Sequence, residues 1–276
     1  CDYGSDTVTV EDIAESVCDR PLWRTVAVPS EHGGWGLTLE PVLLGLLIAP
    51  SLVGVMLGVG ALVTFLARTP LKLIVIDLRR KRWLTRSKLA VKFAIGELAV
   101  LAAIASAALW ATGWSWLVPV VIAGPLVGVE FWFDVRSRGR RLIPELCGSV
   151  GIASVVAVIV LASGHSASLA VGAWLVLSAR AVGAIPFVRV QITRLRGIAG
   201  GTRSSDVAQV AVVAIGVVAV ATEHQMLAGL VGLLTLAILQ LVWVRREPLV
   251  PKMLGVRQMM LGVGLVAVTA VGVVVS

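Results

Sequence analysis

Residues 111–141, ATGWSWLVPVVIAGPLVGVEFWFDVRSRGRR, decide how the whole chain is read. A short uncharged turn opens onto an apolar run of about twenty residues, the length that crosses a ~30 Å hydrocarbon core. The run then stops at a burst of positive charge: Arg136, Arg138, Arg140 and Arg141. The same alternation continues outward in both directions. Basic segments occupy 68–92, 136–141, 189–203 and 245–257, whereas 49–51, 111–115, 163–168 and 222–225 carry no Lys or Arg. All 24 Lys and Arg can therefore be assigned to one side of a membrane. Loops with a Lys/Arg excess lie on the cytoplasmic side. The expectation is an all-α, multi-pass protein of the bacterial cytoplasmic (inner) membrane, with a cytoplasmic amino terminus and Ser276 outside.

Composition agrees, because 58% hydrophobic and 14% charged residues lie far from the soluble globular range. The net charge of +8 then belongs to loops facing anionic headgroups, and a nucleic-acid partner is excluded. Cys1, Cys18 and Cys147 have no CxxC or paired spacing, so neither a zinc site nor a disulfide framework is expected. Residues 1–36 hold Asp2, Asp6, Glu11, Asp12, Glu15, Asp19 and Glu31 and read as an acidic cytoplasmic arm. Residues 37–276 read as a transmembrane domain of about nine helices, near 37–49, 51–67, 89–110, 114–133, 145–163, 167–188, 206–222, 226–244 and 257–275. The first two could form one tilted helix. Pro50 argues for a break, because it removes a donor and disfavours helix at Ala49. Trp110, Trp114 and Trp116 at one boundary, with Trp83, Trp132 and Trp243 at the other, read as aromatic belts. Gly54-x3-Gly58 and Gly124-x3-Gly128 read as helix-packing faces.

Ionisable residues inside spans are costly and face partners or water-filled cavities. Glu40, Arg68, Glu97, Glu130 and Arg180 are such residues. One reading pairs Glu40 or Glu97 with Arg68 or Arg180 merely to lock helices. The preferred reading places all five around a cytoplasm-facing cavity, because they gather at one depth. Glu130 and Asp134, spaced i, i+4, share a helix face. They could hold one Mg²⁺ together with phosphate oxygens, or neutralise the neighbouring arginines. His32, within Glu31-His32-Gly33-Gly34-Trp35-Gly36, is the candidate proton-moving group; its glycines suit close approach to a ligand or a tight turn into the membrane. His165 and His224 read as solvated loop residues.

The run from Glu31 to Gly36, then Pro41, then Phe65-Leu66-Ala67-Arg68-Thr69-Pro70, with Arg180 and Leu254-Gly255-Val256-Arg257, resembles the YwiC-like family of bacterial membrane proteins. That resemblance brings no activity with it. Nine helices with polar loops after the second and fourth are similar, more distantly, to the UbiA superfamily of intramembrane prenyltransferases. The segment from Asp134 to Gly148 adds to this likeness, with Gly139, Pro144 and Gly148 at the matching places. The resemblance implies a UbiA-like bundle in which acidic motifs hold Mg²⁺ on an isoprenyl diphosphate. The first loop, however, offers only Asp77, and the second motif is reduced to Glu130 and Asp134. Two carboxylates cannot readily balance two Mg²⁺ and a diphosphate. The basic loops instead suit direct anion binding.

The leading functional expectation is a cavity for an anionic amphiphile: an isoprenoid diphosphate, a quinone precursor or a lipid. Glu31, His32, Arg68, Lys72, Arg138, Arg141, Arg180 and Arg189 are the candidate ligand-binding residues, Glu130 and Asp134 the candidate metal ligands, and Glu40 and Glu97 an intramembrane charge network. Two alternatives stand beside it. One is a small-solute transporter with a relay through Arg180. The other is an accessory subunit of a membrane complex, contacted through the acidic arm.

Overall fold

A computed structural model of the chain describes Val26, the stretches 32–136, 141–198 and 200–276, and Gly139, with the backbone alone for 32–34. The described residues are all-helical, with no strand among them. In chain order the helices are α1 (His32–Ile48), α2 (Leu52–Arg79), α3 (Thr85–Thr112), α4 (Leu117–Val135), α5 (Leu142–Ala153), α6 (Val155–Ala162), α7 (Ala167–Leu195), α8 (Arg203–Thr222), α9 (Leu227–Trp243) and α10 (Pro251–Val275). Helices α5 and α6 together make one span, Leu142–Ala162, with a slight break at Ser154, whose hydroxyl donates to the Gly151 carbonyl at 2.7 Å. Eight spans are long and apolar enough to cross a membrane, and the shorter apolar segment of α1, Trp35–Ile48, makes about nine. The chain is a polytopic membrane protein.

Lipid offers the backbone no hydrogen bonds, so each crossing segment must satisfy its own peptide groups as helix. At two of the breaks, before α2 and before α7, a serine side chain caps the new helix. At Pro50-Ser51 the helix stops, and the Ser51 hydroxyl accepts from the Gly54 amide at 2.9 Å, starting α2 as a separate helix. At 28 residues, α2 runs through Pro70 and extends ~42 Å, well beyond the hydrocarbon core. Its far end is stapled to α3 by Asp77, which accepts from Ser87 Oγ at 2.6 Å and from Arg86 Nη2 at 3.0 Å. Asp77, the lone acid of that loop, is thus committed to the turn.

Helix α7 forms the axis. Two thirds of its span (67%) is buried, against 11% for α3. It packs on α5, α6, α8, α9, α10 and α1, whereas α3, among the described residues, packs chiefly on α2. Helix α10 returns to lie along α1 and closes the bundle. At the uncharged end, Ser51 Oγ and Ser163 Oγ share a 2.7 Å hydrogen bond, and Ser168 donates to Glu223 at 2.7 Å. The basic turns lie at the other end.

Three local expectations change. Helix α1 starts at His32, so Gly33 and Gly34 lie within helix and make no sharp turn. Trp35 meets Phe65 of α2 edge-on at 5.1 Å, which gives this first turn a packing partner. Trp116 leaves the aromatic belt: it is 4% exposed and packs with Val42, Leu57, Val158 and Ile159. Trp110 and Trp114 remain strongly exposed. Of the two glycine pairs, Gly54 and Gly58 lie tight against Ile159 and Val42, but a side-chain carbon on Gly124 or Gly128 would meet nothing within 4 Å. The second pair faces outward and is not a packing motif. Lipid tails are as apolar as leucine, so such close approaches and polar pairs hold helices together where a hydrophobic drive is absent.

Candidate functional site

Near the basic end, α2 and α4 bring four of the nominated side chains together. Arg68 Nη2 lies 2.8 Å from Glu130 Oε1 and 3.0 Å from Asp134 Oδ2, and Lys72 Nζ lies 2.6 Å from Asp134 Oδ1. Helical spacing does this on both sides, because Arg68/Lys72 and Glu130/Asp134 are each i, i+4 pairs. Two glycines complete the arrangement. A side chain on Gly148 of α5 would overlap the Glu130 carboxylate, and one on Gly139 would lie 2.9 Å from Asp134 Oδ1. The segment from Asp134 to Gly148 thus sets one glycine against each carboxylate. Two cations face two carboxylates, so the cluster is locally neutral; its cations remain partly exposed (Arg68 27%, Lys72 33%), whereas Asp134 is buried.

A second meeting point lies deeper, among α1, α7 and α10. Arg180 Nη2 donates to the Gln258 carbonyl at 2.6 Å and lies 3.5 Å from Glu40 Oε1. Only 3% of the Arg180 side chain and 7% of Glu40 are exposed. Gly262 makes room: any side chain there would overlap the Glu40 carboxylate. Buried polar atoms are nearly always hydrogen-bonded, yet Arg180 Nε and Nη1 and both side-chain amide atoms of Gln258 have no partner. The neighbouring Arg257 stacks over Trp243 at 4.1 Å and Phe187 at 5.7 Å, and its buried Nε also lacks a partner.

The remaining nominated residues are dispersed. Arg189 pairs with Glu145 of α5 at 2.9 Å. Arg141 precedes α5 and is exposed. Glu97 is on the peripheral α3, where Oε2 is buried without a partner beside an apolar groove of about 400 Å³ lined by Val63, Leu66, Phe93 and Val100. Glu31, Arg138 and the side chain of His32 lie outside the described residues, as does nearly all of the acidic arm. Among the described residues no three His, Cys, Asp or Glu side chains gather as metal ligands. His165 is exposed, and His224 pairs with Glu223 at 3.2 Å at the uncharged end. Cys147 is a half-buried free thiol.

Sequence reasoning passed over Gln258 and treated Arg257 as a loop boundary. Both were detectable. Helix α10 starts at Pro251, where proline suits the first helical position, which places Arg257 and Gln258 inside a span. A second polar contact, Gln209 Nε2 to Gln240 Oε1 at 3.0 Å, joins α8 to α9.

Residues 28–160 match the family model described as YwiC-like protein. That stretch holds the whole Arg68–Glu130–Asp134–Lys72 cluster with its two glycines, and it ends before α7, so Arg180 and Arg257 lie beyond it. No curated protein and no solved structure matches the chain.

Proposed function

From a chain that is YwiC-like over residues 28–160, we propose a membrane-embedded binder of an anionic amphiphile, an isoprenoid diphosphate, a quinone precursor or a lipid, received at the basic end between α2 and α4. One observation carries this reading. Glu130 and Asp134 both reach the same guanidinium nitrogen of Arg68, and Gly139 and Gly148 keep both carboxylates in place. Side chains that converge on one atom can also converge on one cation.

The ligand-free cluster is self-neutralised. With a phosphate group and its counter-ion bound, Arg68 and Lys72 would hold the phosphate oxygens, and Glu130 and Asp134 would hold the cation. Mg²⁺ suits this set, since it is commonly held by one or two carboxylates and completed by phosphate and water; when bound it would screen the phosphate charge. The partial exposure of Arg68 and Lys72 lets these two cations change partners without leaving full burial. The apolar tail would lie along the lipid-facing surfaces of the same helices. Arg189 and Arg141 stand at the basic end and would draw anions towards it by their field, whereas Arg138, Glu31 and His32 remain ligand contacts expected from the sequence. That end is assigned to the cytoplasmic face of a bacterial inner membrane, on the Lys/Arg distribution.

The test is equilibrium binding of a radiolabelled isoprenyl diphosphate to the purified chain in detergent, with and without Mg²⁺. Saturable binding that falls at least tenfold in Arg68→Gln and on chelation of Mg²⁺ supports the proposal. Absence of both saturable binding and Mg²⁺ dependence removes it.

A further inference from the structure

The interior cluster of α1, α7 and α10 has donors that no group among the described residues accepts. Arg180 Nε and Nη1 and Gln258 Nε2 are all buried without partners, against a single unpartnered acceptor nearby, Gln258 Oε1. Glu40 does not answer them, because it approaches Arg180 through Nη2 and only at 3.5 Å. Its carboxylate is held in that position by the absence of a side chain at Gly262.

The charge is uneven as well. Arg180 and Arg257 bring two cations to this part of the bundle, and Glu40 is the one carboxylate paired with either among the described residues. Arg257 stacks over Phe187, two turns of α7 from Arg180, ~10 Å nearer the basic end. Aromatic faces attract a guanidinium but leave its charge in place. Water entering this space would accept hydrogen bonds without balancing that charge. Inside a membrane-spanning bundle, a buried charge calls for an opposite one.

We propose that this interior is a binding site for a small monovalent anion, of halide or nitrate size, hydrogen-bonded by Arg180 and Gln258 and balanced by the charge of Arg257. The ligand is small because the groups that would hold it are buried: Arg180 is 4% and Gln258 8% exposed. This site is separate from the α2–α4 cluster, and neither proposal depends on the other.

The experiment uses the purified full chain in detergent with sodium gluconate, titrated with sodium bromide at constant ionic strength and followed by thermal unfolding. The wild type should show a saturable rise in melting temperature. Gln258→Leu should melt no lower than wild type without bromide, because two orphaned atoms are gone, yet lose most of the bromide response. Arg257→Gln should weaken the bromide midpoint at least tenfold while its binding of isoprenyl diphosphate stays unchanged. The proposal is overturned if bromide gives the wild type no saturable shift, or if both variants retain the wild-type midpoint.

Discussion

Two arginines, Arg68 and Arg180, each meet a glutamate from another helix, and the outcomes differ. Arg68 is 27% exposed and touches two carboxylates at 2.8 and 3.0 Å, with Lys72 sharing one of them. Arg180 is 3% exposed and has one carboxylate at 3.5 Å, with two of its nitrogens unpartnered. Charge has been matched where water can reach and left unmatched where it cannot. Solvent near the first site is what the proposed exchange of partners with a large ligand relies on. The second lies away from bulk water, and its unpartnered donors are buried. Exposure, more than the identity of the charged groups, separates a mouth from an interior.

The comparison is most easily broken at the interior pair. Arg180→Met leaves Glu40 buried without a cation and should cost about 3–5 kcal/mol, read as a large fall in melting temperature in detergent; the double variant Glu40→Gln, Arg180→Met should recover most of it. If the single variant melts like wild type, Glu40 is not dependent on Arg180. Next come the glycines that make room for the carboxylates. Gly262→Val pushes on Glu40 and should destabilise by about 1–3 kcal/mol, as overpacking does, measured by the same unfolding assay.

At the mouth the expected stability effect is smaller. Arg68→Gln should cost no more than about 1 kcal/mol, because partly exposed ion pairs contribute little, while isoprenyl diphosphate binding falls sharply. A large stability loss with intact binding would make Arg68 a helix lock and erase the contrast. Smallest of all, Gly124→Ala and Gly128→Ala should stay within about 0.5 kcal/mol of wild type or stabilise slightly, since both positions face open space. Gly58→Ala, set against Val42 at 2.8 Å, should be worse than either.

Much of the architecture was legible from alternation of apolar runs with basic and uncharged turns, because the bilayer imposes both length and helix. Pro50-Ser51 was readable as a break, since proline and a capping serine stand together there. The pairing of charges was less legible. Glu40 with Arg180 was one of several options, whereas Arg68 was weighed against Glu40 and Glu97 and instead meets Glu130 and Asp134. Helix-to-helix adjacency decides this, and a single run of residues does not encode which helices touch. Trp116 misled for a related reason: turn position suggests a headgroup-level ring, but the turn folds inward over Val158 and Ile159. Gln258 was missed because attention went to ionisable groups, although a lone amide in an apolar span is itself a signal. Glu31, Arg138 and the His32 side chain lie outside the described residues and stay as sequence expectations.

The most direct test of the division between mouth and interior is photo-crosslinking with a benzophenone-bearing isoprenyl diphosphate, followed by peptide mapping of the adducts. Adducts confined to α2, α4 and α5, and abolished by excess unlabelled isoprenyl diphosphate, are the predicted result. Competed adducts on α7 and α10, with none on α2, α4 or α5, would contradict it.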